Sequence, residues 1–125
     1  MPQDSQGRYV PDNESPAGAQ LASAARTTST NGTAFDTAGV DAINATLVVS
    51  AVTGTNPTLD VVLETTADGT NYYTVGTFAQ QTSTQAGLAR VFGPLGATSR
   101  WKWTIGGTAT PTFTFAITAT ADRDV

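Results

Sequence analysis

The sequence predicts an all-β fold: an antiparallel β-sandwich of about seven strands, Ig-like or jelly-roll-like, preceded by an extended N-terminal arm. Apolar residues recur with a period of two in short runs and form no helical stripes. Thr is the commonest residue, which suits a pleated, half-exposed surface. Twelve Gly and six Pro punctuate the runs, supplying the backbone conformations that turns between strands need.

Length and composition narrow the function. A chain of 125 residues with 39% hydrophobic content holds one domain and one modest core. With Lys+Arg 6 against Asp+Glu 10 and a net charge of -4, no electrostatic reason exists to seek nucleic acid or an anionic membrane, and neither is expected as a partner. The chain has no Cys and no His. Thiol catalysis, disulfides, Ser-His-Asp arrangements and most zinc sites go with them, so a non-enzyme without metal or cofactor is expected. Met1-Pro-Gln-Asp-Ser5 lacks the basic and then apolar order of a Sec-type signal, and no apolar run approaches membrane-spanning length.

The elements follow in order. Residues 1–24 are polar and rich in Pro, Gly, Ser and Ala without periodicity, and read as the arm; residues 25–125 read as the sandwich domain. Propensity allows a short helix over residues 18–26, with Leu21 as its one large apolar residue. Residues 27–36 suit a first edge strand ending in a polar bend at 36–39. Ile43, Ala45, Leu47, Val49 and Ala51 then face one way, with Asn44, Thr46, Val48 and Ser50 opposite. Thr53-Gly-Thr-Asn-Pro57 interrupts the run, and Leu59, Val61, Leu63 and Thr65 restart it against Asp60, Val62 and Glu64, which predicts a hairpin. After the turn Ala67-Asp-Gly-Thr70, strands are expected over residues 71–78 and 88–95. Residues 100–105 set Trp101, Trp103 and Ile105 against Arg100, Lys102 and Thr104, and residues 112–120 set Phe113, Phe115, Ile117 and Ala119 against a row of Thr. Gly54-Thr-Asn-Pro-Thr-Leu59 and Gly107-Thr-Ala-Thr-Pro-Thr-Phe113 echo one another, as a duplicated binding loop would, though two hairpins with the same turn chemistry explain it as well.

Candidate chemistry is sparse. Asp60 and Glu64 share a strand face about 13 Å apart, beyond the roughly 5–9.5 Å of paired glycosidase carboxylates, and read as surface charge. Asp68 reads as a turn cap, with a weak calcium site as the alternative. Trp101 and Trp103 lie on one face and could stack on a sugar, extended by Tyr72 and Tyr73. Their phase with Ile105 favours the core, because exposing them would bury Arg100 and Lys102. Arg100 and Lys102, joined by Arg90 if the strands pair, form either a cross-strand ladder to Asp60 or Glu64 or a docking patch for an acidic partner.

The stretch Pro57-Thr-Leu-Asp-Val-Val-Leu-Glu-Thr-Thr-Ala-Asp-Gly-Thr-Asn-Tyr-Tyr-Thr-Val-Gly-Thr-Phe78, continued by Arg90-Val-Phe92, Leu95-Gly96 and Arg100-Trp-Lys-Trp-Thr-Ile-Gly-Gly-Thr108, is similar to small virion proteins of tailed bacteriophages. The similarity spans residues 33–121. It implies a capsid decoration or cement protein that binds the major capsid protein on the virion surface after assembly in the host cytoplasm. On this reading the arm is the clamp, Tyr9, Val10 and Leu21 are its apolar anchors, and Arg90, Arg100 and Lys102 add a second contact surface. Self-association as a trimer or dimer is compatible with it. Two other readings stand beside it: a carbohydrate-binding module taking a surface glycan on Trp101 and Trp103, and a tail or neck subunit.

Overall fold

The computed structural model describes residues 19–123. They form one antiparallel sheet of seven strands: β1 (Leu21–Arg26), β2 (Thr30–Asn31), β3 (Phe35–Asp36), β4 (Val40–Thr66), β5 (Tyr73–Thr77), β6 (Gln85–Phe92) and β7 (Thr98–Arg123). No helix occurs among the described residues. β1, β2 and β3 pair with β7, β5 and β6 pair with β4, and the two long strands pair with each other from Val40 opposite Arg123 to Thr66 opposite Thr98.

The long strands cannot be straight. Twelve residues of extended chain span about 40 Å, yet Trp103 and Phe115, both on β7, have ring centroids 5.6 Å apart. Likewise Phe92, paired with Ile43 at one end of β4, lies 5.5 Å from Trp101, paired with Leu63 at the other. The sheet is therefore folded face to face across its middle. One half contains β6, the start of β4, the end of β7 and β1. The other contains β5, the end of β4, the start of β7, β2 and β3.

The echoed motifs form the fold line. Register breaks between Thr53 and Thr58 on β4, where Gly54 and Asn56 take positive φ, as do Gly107, Ala109 and Thr110 across on β7. Each glycine packs on the proline segment of the other strand. A Cβ on Gly54 would stand 2.7 Å from the Pro111 Cα, and one on Gly107 2.9 Å from the Asn56 carbonyl oxygen and 3.0 Å from the Pro57 Cα. The arrangement is an approximate two-fold. β1, β2 with β3, and β4 form one unit, β5, β6 and β7 the other, and each unit's short strands pair with the other's long strand.

The inward period-two residues fill the space between the halves: Ile43, Leu47, Leu59, Val61, Leu63, Phe113, Phe115 and Ile117 are buried, together with Phe78, Phe92, Trp101 and Trp103. Several expectations need correction. The segments 43–51 and 59–65 are not a hairpin, because each pairs with a different part of β7 and the Gly54 motif bends a single strand. A bulge between Val49 and Ala51 turns Ala51 outward and packs Val52 on the core instead. The segment allowed as a helix is strand β1, so Leu21 through Ala24, assigned to the arm by sequence, belong to the sheet.

Candidate functional site

The two outer faces differ in chemistry. On the second half, Glu64 pairs with Arg100 across β4 and β7, and the Arg100 Nε donates to the Glu64 Oε1 at 3.0 Å. The Lys102 Nζ lies 4.0 Å from the other carboxylate oxygen. The Arg100 guanidinium also sits 3.8 Å from the Tyr72 ring centroid, a cation–π contact that covers its second side. Asp60 accepts from the Gln80 side-chain amide. Glu64 thus ties Arg100 and Lys102 into a cross-strand ladder, while Asp60 is held by a neutral amide.

Arg90 is elsewhere. β6 pairs with the start of β4, placing Arg90 opposite Ala45 and away from Arg100 and Lys102. Its Nη1 donates to the Thr77 carbonyl at 2.8 Å and its guanidinium lies 5.3 Å from the Phe92 ring centroid. Arg26, which the sequence reading passed over, occupies the corresponding gap on the other side. It donates to the Ala22, Ala24 and Phe115 carbonyls and rests over the Trp103 and Phe115 rings, and burial draws its pKa below the ordinary guanidinium value. Its predictable signal is slight, because an Arg at the end of an apolar strand usually reads as solvent-facing.

Neither tryptophan offers a face to solvent: Trp101 is 1% exposed and Trp103 5%. Trp101 packs against Phe78 and Phe92, Trp103 against Phe115. The stacking platform is therefore absent, Tyr72 being under Arg100 and Tyr73 exposed on β5. Asp68 is saturated by its own turn. Its Oδ1 accepts from the Thr70 and Asn71 backbone N–H groups and the Thr66 hydroxyl, and its Oδ2 from the Asn71 amide. These donors hold its carboxyl well below the usual carboxylate range. No grouping of three or more metal-ligating side chains occurs among the described residues.

On the outer face of the first half, Asn44, Thr46, Val48 and Ser50 on β4 and the alternate residues from Thr112 to Thr120 on β7 are uncharged, and Asp122, opposite Ala42, is the next register position of that row. Its small side chains leave a shallow open trough of about 450 Å³ between Asn44, Thr46, Ala89, Val91, Thr118 and Thr120. The outward Thr row was visible in the sequence; its union with β6 was not, because pairing partners are not written in a period-two pattern.

The first described residues are fixed by the core. Ala19 is fully buried, and its carbonyl accepts the Trp101 indole N–H at 2.9 Å. The Gln20 side-chain amide bonds both the N–H and the carbonyl of Ala119, acting as one more strand residue on β7. Leu21, expected as a capsid anchor, instead packs on the core opposite Ile117. Tyr9 and Val10 lie outside the described residues.

Comparison with protein-family models and with curated proteins finds no match for the chain.

Proposed function

We propose that this protein is a structural component of a tailed-phage virion, a decoration protein that docks on the outer surface of the head through its N-terminal segment and so cements the shell. The observation that carries the reading is the anchored root of that segment: Ala19 is locked to Trp101 and Gln20 to Ala119. A load on residues 1–18 is delivered directly to the core of a body built from long, mutually paired strands, which is what a clamp requires. The resemblance of residues 57–78 to small phage virion proteins agrees with it, and the uncharged centre of the outer face, around Asn44, Thr46, Thr118 and Thr120, offers a second docking surface, since charged residues are depleted at the centres of protein interfaces. The burial of Trp101 and Trp103 removes the motive for a glycan-binding reading. Immuno-gold electron microscopy of purified virions tests the proposal. Labelling spread over the head is expected; labelling confined to the tail or neck overturns the decoration reading in favour of a tail subunit.

A further inference from the structure

We propose that β6 is a self-association edge, by which two copies of this chain pair strand to strand around a two-fold axis. A strand at the margin of a sheet presents backbone N–H and C=O groups on one side, and proteins that stay monomeric shorten, bend or charge such edges. The other margins here are blunted. β2 and β3 have two residues each. β5 has five, with a register shift on its partner strand and its Thr77 carbonyl occupied by Arg90. β1 is interrupted by a bulge, and its Ala22 and Ala24 carbonyls are occupied by its own Arg26. β6 is longer: it has eight residues, and past a register shift between Gln85 and Leu88 its residues 88–92 run in unbroken register against 43–47 and pair to no other described strand. Its one charged side chain, Arg90, is turned onto the Thr77 carbonyl and the Phe92 ring.

Charge selects a second copy as the occupant. The chain carries a net -4, so two copies repel unless they meet where charge is absent. Beside β6 the positions Asn44, Thr46, Thr118 and Thr120 are uncharged, Asp122 entering the row only beyond Thr120, whereas the opposite outer face holds Asp60, Glu64, Arg100 and Lys102. Antiparallel edge pairing is also self-complementary, as an isologous contact must be. It gives Val91, which is 61% exposed and is one of two large apolar side chains left in solvent among the described residues, a cross-strand neighbour on the same face. The joined first halves then form one continuous sheet. This pairing is independent of the head-binding proposal and is read on the protein alone.

Sedimentation velocity of the purified full chain over a range of concentrations is the test, with Val91→Lys as the disrupting variant and Thr104→Lys as a control on the opposite face. A reversible wild-type dimer is expected, retained by Thr104→Lys and weakened roughly tenfold or more by Val91→Lys, because a lysine on each copy adds like charge beside the shared edge. Hydrogen exchange gives a readout without substitution: protection of the β6 amides should rise with wild-type concentration while β5 amides stay unchanged. A wild-type monomer at all concentrations, a trimer, a dimer indifferent to Val91→Lys, or β6 exchange independent of concentration overturns the proposal.

Discussion

Trp101 joins the core to Ala19 through a single side chain, its ring stacked on Phe78 and its indole N–H given to the Ala19 carbonyl. Trp101→Phe keeps an aromatic ring but leaves a cavity and an unpaired buried carbonyl. It should cost about 2–4 kcal/mol in chemical denaturation and raise hydrogen exchange at Gln20 and Leu21. Glu64 answers Arg100 directly and Lys102 at longer range. Glu64→Gln should destabilise by about 0.5–1.5 kcal/mol, a value discounted for the partial exposure of Arg100. Asp68 predicts a pH dependence. Its folded pKa is depressed by the N–H groups of Thr70 and Asn71, so its contribution is complete above the unfolded carboxylate pKa of about 3.9. That contribution is lost as pH falls from there through the folded value. Asp68→Asn, followed by denaturation between neutral and strongly acidic pH, should lose stability at neutral pH and flatten the acid limb; an unchanged acid limb would assign it to other carboxylates. The capping role of Asp68 was legible in Asp-Gly-Thr-Asn, because an Asx turn is a local device.

At the level of elements, alternation was legible and connectivity was not. The inward residues of residues 43–49, 59–63, 101–105 and 113–119 were readable one by one, since one buried face imposes a period of two. The turn chemistry between them misled. A Gly-Thr followed by Pro-Thr serves a hairpin and a sharp bend within one strand equally well, and only the pairing of both arms with β7 distinguishes them. The same limit hid the position of Arg90, whose neighbours depend on which strand β6 joins. The reciprocal packing of Gly54 on Pro111 and Gly107 on Pro57 makes a sharp prediction. Gly54→Ala and Gly107→Ala should each cost about 1–3 kcal/mol from backbone conformation alone, with a further penalty from the close backbone contacts. The two effects should not add, because both variants distort one shared fold line. Thermal unfolding of the single and double variants measures this.

For the whole molecule, the two units exchange their short strands, so neither completes its sheet without the other. Unfolding should accordingly be one cooperative transition, with fluorescence of the buried tryptophans and far-UV circular dichroism coincident. All-β character and one domain-sized core followed from composition and length, whereas the folded-over single sheet needed long-range pairing that no local pattern encodes. The anchoring of Ala19 also moves the truncation that tests the proposed clamp: the cut must fall before Ala19, since Ala19–Arg26 are part of the body. The most direct measurement is co-sedimentation with phage heads lacking this protein, comparing the full chain with residues 19–125 after circular dichroism has shown both to be folded. The full chain should pellet with the heads while the shortened chain stays in the supernatant; equal pelleting of the two would contradict the clamp.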